Sequence, residues 1–464
     1  MDHVCAKFLF HPIGAPGRNN LKDLLENGDG QPMNIMQHPR APRKIAVIGA
    51  GISGMSAAYR LSQSHDVTLI EAERRLGGHA RTRLAGRNGD QPVDTGFIVF
   101  NYATYPHLTA LFDELDVPVT PSDMSFGASF RGGALEYALA NSDKLFAQRK
   151  NLLNPKFLRM CRDILRFNAR AGATVAGRNL TIREMLAELR TGSYFRDHYL
   201  LPFSGAIWST PTEKVLDFPA HALVQFFQNH GLMDTKGQHQ WYTVDGGSVQ
   251  YVSRLGSAMT QAGVKIRLGC PVAGIRRRPH GVEVRMKGSE WEPFDEVILA
   301  THSDISLGML ADATEDERDV LSAVRYQPND MILHSDASLM PRKRKVWSSW
   351  CYAEGKTKSS DRIDLSYWMN SLQPWLKTED LFVTLNSTRP IREDLIWDQA
   401  TFHHPVFDTA ALHAQEKARQ INGLNRTWLC GAWMRNGFHE DGIASAMDVV
   451  TAIEAREMLP VAAA

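Results

Sequence analysis

The stretch 47-VIGAGISGMSAAYRL-61 decides how this chain is read. It completes an apolar run that begins at Lys44, of the kind found in a strand buried on both faces. Gly49, Gly51 and Gly54 then stand at G-x-G-x-x-G spacing, and a helical pattern with small residues early in it, Ser53 among them, follows directly. "DVTLIEA", residues 66–72, predicts a second strand, so the strand, turn, helix and strand occupy about thirty residues, the size of a βαβ unit. In such a turn the first glycine permits the tight bend, the second lets the backbone approach a pyrophosphate, and the third lets helix pack on strand. The helix N-terminus faces the phosphates with free N–H groups. Glu71 closes the second strand twenty residues after Gly51, where a carboxylate can accept hydrogen bonds from ribose hydroxyls. The plain alternative is a tight turn followed by a solvated glutamate.

Around this unit the chain divides by composition. Residues 1–42 are rich in breakers ("GAPGRNN", "NGDGQPMN") and predict a poorly ordered leader. Segments 43–109, 236–305 and 416–464 contain the strand and helix patterns that complete the sheet. Segments 110–235 and 306–415, richer in aromatics and breakers, predict a second, inserted domain. The length of 464 residues is ample for two domains. A net charge of +1 disfavours a dedicated nucleic-acid binder. Five scattered cysteines without a CxxC pair argue against a disulfide framework or metal cluster and point to a reducing cytoplasm. No stretch reaches the apolar length of a membrane span.

The residues after Glu71 refine the choice of dinucleotide. "EAERRLGGHARTR" sets Ala72, Arg75, Gly77, Gly78 and His79 just beyond the acid, and "VDTGF" follows. This order resembles the flavin amine oxidase superfamily, whose pattern E-A-x-x-R-x-G-G-R/H continues FAD recognition past the ribose. The resemblance implies that Arg75, Gly77 and Gly78 pass close to the FAD phosphates and ribityl chain, with a guanidinium meeting phosphate in a fixed fork. "LCGAWMRNGFHEDGIASAMDVV" is similar to the family's closing segment. It implies that Gly431 and Ala432 lie near the flavin and that a helix starting at Asp441, Gly442 and Ile443 points its N-terminus at the isoalloxazine ring. "GCPVAGI" resembles the segment whose backbone reads adenine, which singles out Val272. The implied fold is α/β, with a discontinuous Rossmann-like FAD-binding domain and an inserted mixed α+β substrate domain.

Two absences shape the chemistry. There is no second G-x-G-x-x-G for a built-in nicotinamide site and no redox CxxC, so FAD is expected to take electrons from substrate and pass them to oxygen, a quinone or a protein partner. "GAIWSTPTEKVLDFPA", "HSDASLMPRKRKVWSSWCY", "SYWMNSLQ" and "TFHHPVF" resemble a bacterial branch of FAD-binding oxidoreductases similar to the N-terminal oxidase-like region of plant cyclopropane fatty acid synthases. The branch implies hydride removal from a C–H bond of an apolar, fatty-acyl lipid. Amine oxidation, a carotenoid-type desaturase or isomerase, and a non-catalytic flavin-bound partner of an acyl-modifying methyltransferase are the alternatives.

True amine oxidases carry a lysine on the substrate-domain strand facing the flavin, and the matching stretch "QPNDMILHSDASL" has none. It offers His334 and Asp336 instead, two residues apart and so on one face of a strand, as a pair able to orient substrate or move a proton. A hydrogen-bonded structural pair is the alternative. Trp208, Trp368, Asn370 and Gln373 are further pocket candidates. His403-His404 lacks a third ligand at metal spacing, so no metal is expected. Arg342 to Lys345, in "PRKRK", predict a solvated turn or a contact with anionic lipid headgroups at the inner face of a membrane. An elongated apolar cavity is expected beside the flavin.

Overall fold

The structure is a computed structural model that describes residues 41–208, 215–229, 231–233, 239–355 and 364–458. The expected leader, but for its last two residues, lies outside them.

Strand β1 (Lys44–Ile48) lies at the centre of a five-stranded parallel sheet. Its neighbours are β2 (Asp66–Ile70) on one side and Glu296–Leu299 on the other. Lys265–Arg267 and Thr427–Leu429 form the edges. A continuous apolar run is needed because both faces are covered. Ile45 and Val47 pack with the helix α1 (Ile52–Leu61) and with helix His439–Met458, while Ala46 and Ile48 pack toward Val320, Leu321 and Ala414. All four of those strand residues are 4% exposed or less. The small residues of α1, Ser53, Ser56, Ala57 and Ala58, are buried, which brings the C-terminal helix close.

A seven-stranded mixed sheet is drawn from the regions between these strands. Its order is Ile396–Val406, Arg325–His334, Phe382–Leu385, Leu365–Trp368, Trp350–Ala353, Phe126–Phe130 and Leu135–Ala138. Helix α2 (Pro155–Val175) and the helices Ile182–Glu188, Leu201–Trp208 and Ala220–Asn229 accompany it, sharing a core that includes Phe157, Phe167, Phe195, Phe227, Met331 and Val383. Strands β3 (Arg325–His334) and β4 (Ile396–Val406) pair antiparallel along their length, with Gln327 opposite His404 and His334 opposite Ile396. This long ribbon forms one edge of the second sheet. The architecture is α/β, a Rossmann-like parallel sheet with a mixed α+β insertion.

Candidate functional site

The glycine turn leaves the carboxyl end of β1 and enters α1. Gly49 has φ +101°, where side chains are strained, and donates its N–H to Ile70 O at 2.8 Å. A Cβ on Gly54 would fall 1.8 Å from Gly49 O, so this residue seats the helix on the turn. Gly51 is different: a Cβ there would meet no atom within 4 Å. The space beside it is open, and α1 begins with no side-chain cap and no acidic residue in its first turn. A cradle of open space in front of free helix N–H groups fits a pyrophosphate.

The second glycine pair closes over the first. Gly77 donates to Ala50 O at 2.8 Å, and a Cβ on Gly78 would sit 2.9 Å from Gly51 Cα. The Glu71 carboxylate is held by two amides, Ala50 N–H at 2.6 Å and Glu73 N–H at 2.8 Å, which leaves lone pairs on both oxygens for a ribose diol. The Glu71 carbonyl accepts from Cys270 N–H at 2.8 Å, so the segment leading into Val272 lies beside the ribose position. Ala72 is exposed next to it. Arg75 does not present an unoccupied fork. It donates to the carbonyls of Gly78 at 2.7 Å and Ala80 at 3.1 Å and pairs with Glu73 at 2.8 Å, so it shapes the glycine loop.

At the far side of the turn, Gly431 has φ +152° and donates to Ser445 Oγ at 2.9 Å, with Ala432 starting a short 3₁₀ turn. The helix expected to begin at Asp441 starts earlier, at His439, while Asp441 Oδ2 accepts from Phe438 N–H at 2.9 Å. Gly442 therefore lies within the helix. A Cβ there would reach Ile52 Cγ2 and Ser53 Oγ at 2.9 Å, so its smallness lets the two helices meet. Ile443 is 3% exposed and belongs to the core.

Between these elements lies a group of histidines gathered from four parts of the chain. His79, next to the glycine pair, has its Nε2 3.1 Å from His404 Nε2 of β4. Phe402 stands two residues earlier on the same face of β4, its ring 4.6 Å from the His79 ring, while His403 points to the opposite, exposed side. Asn329 of β3, fully buried, has its Nδ2 3.0 Å from His404 Nδ1 and 3.1 Å from Gln327 O, and its Oδ1 accepts from Asn386. That amide orientation makes Asn329 a donor, so His404 carries its proton on Nε2 and donates to His79. His302 stacks on Tyr326, whose hydroxyl accepts from Ser303 N–H at 2.8 Å. His439 stacks on Phe97 with rings 3.9 Å apart and meets Tyr251 Oη at 2.7 Å. Burial holds these imidazoles neutral: His404 is pushed down to about 4 and His439 to about 3, while His302 is lowered and His79 lies well below its ordinary value.

The pair singled out from the sequence lies elsewhere. His334 is at the opposite end of β3, seven residues and about 23 Å of extended strand from Gln327. Its Nε2 is 2.7 Å from Thr384 Oγ1 and its Nδ1 accepts from Asp336 N–H at 3.1 Å. Asp336 caps a short 3₁₀ turn through Ser338 N–H and accepts from Arg392 N–H. Every polar atom so engaged serves the chain's own backbone or sheet, which is the arrangement of the hydrogen-bonded structural pair, the alternative to a catalytic one. Gln373 and Asn370 are likewise used internally, on Asp94 and on the carbonyls of Leu376 and Glu379, and Trp368 donates to Asp380. The Trp208 side chain lies outside the described residues. The sequence reading weighed His404 only as a metal ligand; its signal was the strand alternation of Phe402 and His404. Among the described residues no group of three or more His, Cys, Asp or Glu side chains could hold a metal ion.

Two hollows lie beside these elements. A cleft of about 760 Å³ opens between the Arg75–Arg83 loop and helix Val249–Gln261, lined by arginines and hydroxyls as well as Leu76, Val252 and Ile266. An apolar hollow by Phe226 and Phe407 holds only about 30 Å³.

Comparison with known proteins sets this geometry in a family. The family model for flavin containing amine oxidoreductase matches residues 52–329. An L-amino-acid oxidase of Pseudechis australis is 42% identical over 57 residues, a match spanning 12% of this chain and 11% of that enzyme's length. In fold, the chain is similar to the CLA-producing fatty acid isomerase from P. acnes, with a TM-score of 0.63, 15% identity, and 88% of this chain and 98% of that one covered. It is equally similar to a putrescine oxidase solved with putrescine, at a TM-score of 0.64 and 15% identity, covering 89% and 99%. The open cradle at Gly51, the amide-held Glu71 and the family match agree, and the chain belongs to the flavin-containing amine oxidoreductases, with FAD as its cofactor.

Proposed function

We propose that this protein is an FAD-dependent oxidoreductase that removes hydride from a C–H bond of an apolar, fatty-acyl lipid, in desaturation-type chemistry. The observation that carries the reading is the character of the wall around His79: neutral imidazoles and the rings of Phe97 and Phe402, with neighbouring carboxylates already engaged. Asp94 accepts from Ser248, Thr82 and Gln373, Asp398 pairs with Arg81, and Glu440 accepts from His107 and Leu108 N–H. A cationic amine would find no anion poised for it there. β3 brings Asn329 to His404 and carries no lysine, and a fatty acid isomerase shares the fold.

Bound flavin supplies the two-electron acceptor for the hydride. The chain's own residues would hold the acyl chain against the phenylalanines and orient it. His404, whose Nδ1 accepts from Asn329 and whose Nε2–H donates to His79 Nε2, forms with His79 a neutral, internally hydrogen-bonded pair that would line and orient the acyl chain, while the proton lost from the adjacent carbon as the C=C bond forms would pass to solvent. His79 faces His404, His302, His439 and Arg75, and no carboxylate directly.

Anaerobic mixing of the flavin-loaded protein with acyl lipids tests the proposal. Bleaching of the flavin band by a fatty-acyl substrate, with formation of the unsaturated product, is expected. Bleaching by simple amines in preference would return the protein to amine oxidation, and none by any lipid would favour a flavin-bound scaffold.

A further inference from the structure

The charge of this chain is nearly balanced overall, at +1, yet it is not evenly spread. From Arg149 to Arg170 there are seven basic residues and one acid, Asp163. Asp163 does not offset them at the surface. Its side chain is 1% exposed and accepts from Gly192 N–H at 2.9 Å, while Arg159, Arg162 and Arg166 stand 3.5 to 4.0 Å away and share it from the solvent side.

The same stretch carries an unusual apolar exposure. Of ten large hydrophobic side chains exposed among the described residues, four lie within fourteen positions here: Leu152 at 47%, Leu153 at 88%, Leu158 at 43% and Leu165 at 58%. Helix α2 already has a buried stripe, with Phe157, Met160, Phe167, Ala171 and Val175 in the core. Leu158 and Leu165 are seven residues apart on the opposite side, and Ala169, Ala173 and Ala176 continue that outward line. Lys156, Arg159, Arg162 and Arg170 are exposed along and beside it. A helix with a second, outward apolar line set among arginines matches the interface of an anionic bilayer. Leucines can enter the headgroup boundary while arginine stems lie along it with their charges at the phosphates.

The basic run weighed in the sequence for this role is less suited to it. Arg344 is engaged bidentately with Asp380 and lies over the Trp347 ring, and Lys345 pairs with Asp143.

We propose that the outward face of α2, together with Leu152 and Leu153, docks on an anionic lipid surface. The inference stands apart from the acyl-substrate reading, because vesicle binding is measured without turnover. Flotation of the flavin-loaded full chain with phosphatidylcholine vesicles should leave it unbound, whereas vesicles containing phosphatidylglycerol should carry it upward, less so as salt is raised. Leu153→Ser with Leu165→Ser should lower affinity for the anionic vesicles at least five-fold, and Lys156→Gln with Arg162→Gln and Arg170→Gln at least ten-fold, with flavin content unchanged. The charge variants leave Arg159 and Arg166 on Asp163, so the helix anchor is retained. Three results would overturn the proposal: no binding by the parent, variants that bind as the parent does, or a concentration-dependent dimer that Leu153→Ser dissolves.

Discussion

The glycine turn and the β3–β4 ribbon meet at the same histidines but reach them by different means. In the turn, the contacts that shape the cradle lie within residues 44–80, and each follows from local spacing: Gly49 to Ile70, Ala50 to Glu71, Gly77 to Ala50, Gly78 over Gly51. The ribbon delivers His404 to His79 across 325 positions, and whether a given residue arrives there depends on strand register. A site of the first kind is written in sequence as a motif. A site of the second kind is written only as alternation, which a one-residue slip would invert.

The comparison is broken most sharply at Gly51. Its surroundings are empty and its φ of −73° suits any residue, so Gly51→Val should leave the fold and melting temperature near the parent's while abolishing FAD binding. Gly54→Val, three residues on, should instead unfold the turn, because the new Cβ has 1.8 Å to Gly49 O. Flavin absorbance and circular dichroism of the two purified variants separate cofactor space from packing space. Retained flavin in Gly51→Val would dismiss the cradle.

At the ribbon, His404→Ala should retain flavin and lower the rate of anaerobic flavin reduction through lost positioning, by less than the roughly 10² to 10⁴ that removal of a general base costs. Asn329→Leu should act in the same direction by a smaller factor, since it removes the donor that sets the His404 tautomer. A His404 variant reduced as fast as the parent would leave the histidines as lining alone.

Glu71→Ala returns to the turn with a smaller effect. It deletes the acceptor for Ala50 N–H and for the ribose, and a charge-assisted hydrogen bond is worth roughly 1.5 to 3 kcal/mol. FAD affinity should fall about ten- to one-hundred-fold, read by equilibrium dialysis.

These contrasts show what the sequence could disclose. The parallel sheet, the cofactor and the glycine turn are legible because β1, the turn and Glu71 are contiguous, and a buried strand must be apolar on both faces. Arg75 has the spacing of a phosphate ligand, and sequence does not disclose the carbonyls of Gly78 and Ala80 to which the loop's own fold bonds it. His334 and His404 are not told apart by sequence. Both are buried polar residues on strands, and sequence does not say which end of an antiparallel ribbon abuts the glycine turn.

That last confusion yields the smallest effect and the cleanest test of the difference between the ribbon's two ends. His334 is fully buried, and burial holds it down to about 4, against an unfolded value of about 6.5. Between those values the unfolded chain binds a proton that the folded chain refuses, so its contribution is intact above pH 6.5 and is lost as the pH falls toward 4. At pH 5 the loss is about 2 kcal/mol, from about 1.5 pH units at 1.36 kcal/mol each. His404 and His439 are lowered too and act in the same direction, whereas Asp94 and Asp441, raised to about 6, act oppositely. The difference between parent and His334→Gln isolates the one residue, since glutamine can still hydrogen-bond Thr384 but does not titrate. Urea melts at pH 7.5 and pH 5 should show the variant losing about 2 kcal/mol less stability than the parent, with its flavin reduction rate unchanged. A variant that melts with the parent's pH dependence, or that loses turnover, would place His334 among the reacting groups and erase the distinction between the two ends of the ribbon.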